Sequence, residues 1–496
     1  MKQTLKRDFD IENYEPKDVL RHFANISKIP RISGNWEDIS HYLMNFLKKH
    51  SAWAKIDEAH NIVAFKKATQ GYEDRPGICL QGHYDMVYDC YNGYTHNPDK
   101  DPIKPYVKDG WLKAEGTTLG ADDGIAIAII MAIFEDDSIE HGPIWALLTA
   151  DEEVGCIGAN NMQKNMTAAR YLINLDNEDI DTISTGCGCG GGYYAKTKLK
   201  FIPLKENDLV YTISLENLLG GHSGIMIHKT RINAAVALSN FLQELTKTID
   251  LNIVDINIGK AANSIPTSGN ISVAFDKKYE NQFAVQLDIM FNDFKKTYGE
   301  YEQAFTIEFW KANETYTKKI SSNDTKRIIA SLLLIPNGMT YYDPHFEASL
   351  MSNNIGLVMI EDNYFSIKCA ARSLHEFNRD LTNQKALTTL KLLKFEFIEP
   401  IMRYHGWVPN KGKLFNSYKD IIERNLGKPI KEHVYISAGL ECGAVMKKNP
   451  SVFEAIAIGP QMQDVHSYGE KMDLNTLSIL WNSLKELIVS IEKDSK

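Results

Sequence analysis

The feature that most limits how this chain can fold is a recurrence: short runs of β-branched and aliphatic residues that each break off into histidine or carboxylate. Ile78 to Gly82 runs into His83-Tyr84-Asp85, Ile144 to Leu148 into Asp151-Glu152-Glu153, Tyr171 to Leu175 into Asp176, and Glu454 to Ile458 into a loop holding His466. Runs of this length and composition read as short buried strands. Helical patterns alternate with them, at Ser40 to Lys49 and Asp123 to Phe134. That alternation marks an α/β fold: a mixed, mostly parallel sheet with flanking helices. In such sheets the loops beyond the carboxyl ends of the strands converge on a crevice where ligands bind.

A chain of 496 residues exceeds what one hydrophobic core usually serves. A second compositional block begins after CGCGGG at 187–192. Helices are predicted there at Arg231 to Thr246, Gln282 to Tyr298 and Asp324 to Leu334, between strand patterns, with a Lys- and Leu-rich helix over 385–398 as its last element. The tail returns to strand signals and closes with a helix from Leu474 to Lys493. The expected organisation is one discontinuous catalytic domain, residues 1–200 and 399–496, interrupted by an α+β domain at 201–398.

Charge and hydropathy exclude several classes of partner. A net charge of −9 and a sequence pI near 5.9 repel polyanions, and no cluster of Lys and Arg overrides this locally, so no nucleic acid is expected. The longest apolar run, Ile125 to Phe134, has half of the roughly 20 residues a bilayer crossing needs and reads as a buried helix. The first residues, MKQTLKRDFDIENYEP, carry charges with no apolar stretch behind them, which matches neither a secretory signal nor an anchor. Seven cysteines, odd in number and without paired spacing, suggest no disulfide framework. A cytoplasmic location and no membrane partner are expected.

Each strand-end cluster alone is a weak signal. A His two residues from an Asp is most often a hydrogen-bonded pair, and an acidic pair after a strand is most often a solvated turn or helix cap. Asp122, in the Gly-rich GTTLGADDG, could likewise be a helix N-cap. Their coincidence at one edge of one sheet shifts the balance. Three carboxylates and two imidazoles in a poorly solvated crevice stack like charges at a cost of several kcal/mol per buried ion. Two divalent cations remove that objection. His83, Asp122, Glu153, Asp176 and His466 are the candidate ligands, and their nitrogen and oxygen donors suit two zinc ions, with cobalt or manganese as substitutes. Asp85 can orient the His83 ring, since alternate residues of a strand point the same way. Glu152, adjacent to a ligand, is the candidate base for a water held between the metals.

The motifs LQGHYDMV, GTTLGADDGIAIA, TADEEVG, LINLD, GGHSGIMIHKTRINA, SAGLECG and the late His466-Ser467 resemble, in this order, the aminoacyl-histidine dipeptidases (peptidase D or β-alanyl-histidine dipeptidase type) of the di-zinc aminoacylase and carboxypeptidase clan. The resemblance runs from about residue 20 to the end. It implies a zinc exopeptidase-like catalytic domain with an inserted lid, the five ligands just named with Asp122 bridging the metals, Glu152 as base, and a cis peptide between Asp122 and Asp123. It further implies that His222 polarises the scissile carbonyl and that Asn263 and Arg372 hold the substrate's backbone and carboxylate. Without the resemblance, GGHSG reads as a turn and Arg372 as a surface charge. Glu441 is a candidate for the substrate amino group by charge complementarity.

Several positions depart from the family pattern: Asp123 where Asn is usual, Thr267 after NSIP where Arg is common, Ser437 in place of a His, and Asp464-Val465 before His466 where Gly-Pro is typical. None removes a ligand. The expected function is hydrolysis of unblocked dipeptides, carnosine-like Xaa-His among them, by a monomer or homodimer. Two alternatives fit the same residues, an N-acyl amino acid deacylase and a catalytically inactive binding protein.

Overall fold

The computed structural model describes residues 7–224, 226–312, 316–344, 348–433 and 439–491. Ser437 lies outside them. The chain divides into two compact units, Met1–Cys187 with Tyr404–Lys496, and Gly188–Arg403. The divisions fall some way from 200/201 and 398/399, because strand Cys189–Lys198 pairs with Tyr364–Ser373 of the second unit.

The first unit is built on an eight-stranded sheet. Its centre is parallel: Ile144–Thr149, Ile78–His83, Tyr171–Asn174 and Glu454–Ala457 lie side by side in register. Trp53–Ile56 and Ile62–Lys66 extend one edge in antiparallel fashion, so the sheet is mixed as expected. The parallel strands are buried on both faces, which explains why they read as continuous apolar runs rather than alternating ones. Helix Ala121–Glu135 is buried along almost its entire length and belongs to one large core with helices Lys17–Ile26, Glu37–His50, Lys413–Leu426 and Leu474–Ser490. Its run of Ile and Ala has no polar face because no side of it meets solvent. His466 lies in a turn between two short strands, Met462–Gln463 and Lys471–Asp473, of a separate four-stranded sheet.

The second unit has a nine-stranded sheet and its own core, which includes helices Ala234–Thr246, Glu280–Tyr298, Ser322–Leu334 and Glu376–Leu392. Asn233 caps the first of these by accepting N–H bonds from Ala235 and Val236, so that helix begins three residues later than its pattern suggests. The helix expected over 385–398 is corrected. It spans Glu376–Leu392, and Phe397–Tyr404 is a strand, since aromatic and β-branched residues around Pro400 favour extended backbone over helix. No described helix is long and apolar enough to cross a membrane.

Because helix Ala121–Glu135 is enclosed on all sides, a cavity within it should be costly. Ile129→Ala is expected to lower unfolding free energy by about 2–5 kcal/mol, read by urea denaturation; a loss below about 1 kcal/mol would contradict the packing described.

Candidate metal centre

Asp122 stands between two imidazoles. Its Oδ1 is 3.1 Å from His83 Nε2 and its Oδ2 is 2.9 Å from His466 Nε2. His466 Nε2 is also 3.0 Å from Glu153 Oε2, and His83 Nε2 is 4.0 Å from Asp176 Oδ1. The structure thus brings all five candidate ligands into one cluster with two lobes, one on each oxygen of Asp122. Four ligand atoms around a zinc ion at about 2.0–2.1 Å stand roughly 3.3 Å from one another. The observed spacings bracket that value, so the donor set fits a cation in each lobe. Ligand atoms of His83, Asp122 and Glu153, and separately of His83, Asp123 and Asp176, lie within 4.8 Å of one another.

The charge balance makes the same point. His83 and Asp122 are buried, while His466 is half-exposed. Bonds to Asp122 and Glu153 push the His466 imidazole up to about 11. For His83, burial opposes protonation, but Asp122 and Asp85 outweigh it and hold the ring well above its ordinary value. Burial and the surrounding carboxylates raise Asp176 well above the usual carboxylate range. Protons here occupy positions that cations would take. Glu153 Oε1 is enclosed with no hydrogen-bond partner, a further acceptor left for such a cation.

Asp85 does more than orient a ring. Its Oδ1 is 3.4 Å from His83 Nδ1, and its main-chain oxygen is 3.2 Å from the same nitrogen. Its carboxylate also accepts the backbone N–H groups of Glu152 at 3.1 Å and Glu153 at 3.3 Å, and the Ser33 hydroxyl at 2.8 Å. One side chain therefore fixes both a histidine and the acidic turn. Glu152 Oε1 accepts from the Cys156 thiol at 3.2 Å, and burial pushes the Glu152 carboxyl up to about 8.

Beneath the ligands lies a buried polar layer. Asn174 Nδ2 donates to Gln81 Oε1 at 2.6 Å, and Gln81 Nε2 donates to Glu441 Oε2 at 2.6 Å, with Thr149 donating to the same oxygen. Glu441 is 0% exposed, and burial holds its carboxyl up at about 8. Its Oε2 accepts these bonds beneath the strand ends, while its Oε1 is enclosed with no hydrogen-bond partner.

In the second unit the structure gathers the three lid candidates. Strand Gly221–His222 pairs with Ser264–Ile265, which sets His222 opposite Ser264, and Ser223 N–H donates to Asn263 O at 2.8 Å. His222 Nε2 is 3.3 Å from Arg372 Nη2. Burial, with the Arg372 charge in support, holds the His222 imidazole down to about 4. The neutral ring keeps one N–H to donate.

Several contacts that shape these sites have no signal in the sequence. Asp123 reaches His83 through the main chain, its Oδ2 accepting the His83 N–H at 3.1 Å, and it is fully enclosed. The Asp122–Asp123 peptide is cis, as the resemblance implies. Glu302, buried, accepts the N–H groups of Leu219 at 2.7 Å and Ile232 at 3.1 Å and so closes the loop bearing His222. Gly34 N–H donates to Asp151 at 2.7 Å. No local pattern announces such long-range partners.

With the geometry in place, comparison with known proteins decides the family. Residues 79–490 match the model of peptidase family M20/M25/M40. The chain belongs to this family. It is 31% identical to the cytosol non-specific dipeptidase of Escherichia coli K12 over 97% of this chain and 99% of that one. The crystal structure of aminoacylhistidine dipeptidase from Vibrio alginolyticus superposes with a TM-score of 0.87 at 28% identity, covering 98% and 99% of the two chains. A tripeptidase from Staphylococcus aureus, at 16% identity and a TM-score of 0.55 over 96% of this chain, shares the fold. The family recognised in the sequence and the mixed α/β architecture are both borne out.

The charge balance carries a pH consequence for protein stripped of metal. Glu152 and Glu441 at about 8 and His466 at about 11 all bind protons more tightly folded than unfolded. Stability that these groups contribute is present below their unfolded values and is lost as pH rises through the folded ones. The melting temperature of chelator-treated protein is therefore expected to fall from about pH 5 to about pH 8, and added zinc is expected to oppose the fall. A melting temperature that rises across this window without metal would contradict the assignment.

Proposed function

We propose that the chain is a cytoplasmic metal-dependent dipeptidase that hydrolyses unblocked dipeptides, carnosine-like Xaa-His among them, at a centre of two zinc ions, with cobalt or manganese able to substitute. The observation that carries this reading is Asp122 set between His83 and His466, one imidazole to each carboxylate oxygen, with Asp176 and Glu153 completing the two lobes. Similarity over nearly the whole chain to proteins named as dipeptidases supports the substrate class.

When bound, the ions lower the pKa of water in the site and polarise the scissile carbonyl. The remaining work belongs to side chains of this protein. Glu152 accepts a proton from the attacking water and returns it to the leaving amine. Its backbone is pinned by Asp85 and its carboxylate by Cys156, so the base is held in one orientation. A carboxyl group that burial holds near neutral pH exchanges protons readily at working pH. His222 is neutral across the physiological range and serves as an N–H donor to the carbonyl oxygen rather than as an acid. Arg372 offers a planar fork to the peptide's terminal carboxylate, and Asn263 an amide to its backbone.

Two outcomes test this reading. Glu152→Ala is expected to lower kcat by about 10²–10⁴ while metal content stays at the wild-type level; unchanged hydrolysis would remove either the mechanism or the activity. Arg372→Lys is expected to raise KM for free dipeptides by about tenfold and to leave peptides amidated at the carboxyl end unaffected, since only the former present a carboxylate to the fork. Faster turnover of N-acyl amino acids than of unblocked dipeptides would favour a deacylase instead.

A further inference from the structure

Four consecutive backbone N–H groups of the loop leading into Asp122 converge on one side chain. Glu470 Oε2 accepts from Leu119 and Gly120, both at 2.9 Å, and its Oε1 accepts from Ala121 at 2.8 Å and Asp122 at 3.2 Å. The residue is 2% exposed. It also closes the turn that bears His466, its own N–H donating to Ser467 O at 3.0 Å. Glu470 therefore links the segment carrying one candidate ligand to the segment carrying another.

A second buried side chain completes the linkage. Arg31 Nη1 donates to Tyr84 O and Asp85 O, both at 3.1 Å, and its Nη2 donates to Gly120 O. The guanidinium occupies room that only glycine leaves. A Cβ on Gly120, whose φ is +66°, would stand 2.6 Å from Arg31 Nη2, and one on Gly124 would collide with the same atom. Burial lowers the Arg31 guanidinium from its ordinary value, and the nearby Glu470 carboxylate opposes that shift. Three segments that carry His83, Asp122 and His466 are thereby tied by two side chains whose bonds run to the main chain rather than to the ligand side chains.

We propose that Glu470, supported by Arg31, is a positioning residue that sets the separation of Asp122 and His466 before any metal arrives. The inference rests on the metal-centre reading above. A loop rich in glycine, such as GTTLGADDG, has much conformational freedom, and ordering it during metal binding would subtract from affinity. Four N–H bonds to one carboxylate remove that freedom in advance. The substitution Glu470→Gln leaves a single oxygen for four donors and turns an NH₂ group toward the others.

The structure supplies a matched control. Glu454 is equally buried and accepts three backbone N–H groups, from Gly412 at 2.8 Å, Leu414 at 3.1 Å and Phe415 at 2.9 Å, at the start of helix Lys413–Leu426. The segment supplying those N–H groups carries no candidate ligand, and Glu454 sits at the start of its strand, away from the end that leads toward His466. Metal-free full-length protein is titrated with zinc against a chromophoric chelator for wild type, Glu470→Gln and Glu454→Gln, with circular dichroism reporting the fold. Glu470→Gln is expected to weaken at least one zinc equivalent by about 10- to 100-fold, and Glu454→Gln by less than about threefold. Wild-type affinity in Glu470→Gln, or an equal loss in Glu454→Gln, overturns the proposal and leaves the metal centre standing. A wild-type protein that binds no zinc overturns both. Hydrogen exchange on metal-free wild type decides the matter if Glu470→Gln does not fold: the amides of 119–122 are expected to be protected without zinc, and rapid exchange that slows only on adding zinc overturns the proposal.

Discussion

The structure of the first unit turns on a charge problem at the carboxyl edge of its sheet. Asp122, Glu153 and Asp176 converge within a few ångströms of His83 and His466 in a largely enclosed crevice. Like charges so placed cannot all remain ionised unless positive charge sits among them. The two imidazoles supply it in the metal-free protein by holding protons far above their ordinary range. Divalent cations supply it better, because each brings two charges and satisfies lone pairs that a single proton leaves unmet.

The rest of the unit keeps that cluster in place. Parallel strands deliver His83 and Asp176 from neighbouring positions, while the Asn174–Gln81–Glu441 layer keeps the strand ends hydrogen-bonded below them. Asp85 couples the histidine to the turn bearing Glu152 and Glu153. The buried helix behind Asp122 gives its loop a rigid base. Geometry of this kind, with each ligand carried by a different segment and every segment tied by a buried polar bond, suits chemistry that tolerates little misplacement of the reacting groups.

Much of this was legible in the sequence, and the reason is local. Apolar runs that stop at His or acidic residues reveal strand ends, so His83, Glu153 and Asp176 could be placed from the pattern itself. Asp122 and His466 leaned more on the resemblance, since a Gly-rich loop and a late turn have weak local signatures. The helix Glu376–Leu392 ends before its pattern does, because Lys and Leu extend a helical pattern into residues whose aromatic and β-branched side chains prefer a strand. Arg31, Ser33, Glu302 and Glu470 were not legible at all. Their partners lie far away along the chain, and a buried arginine or glutamate looks like any surface charge until the main-chain groups it satisfies are known. Glu441 shows the converse: a motif marks its importance but not whether it faces solvent or the interior.

The central claim is that two cations at this cluster make the protein a peptidase. Metal-free protein titrated with zinc, with hydrolysis of an unblocked dipeptide followed at each addition, tests it most directly. The account predicts no turnover without metal and full activity as the second equivalent binds. Undiminished hydrolysis by protein shown by elemental analysis to be free of metal would contradict it.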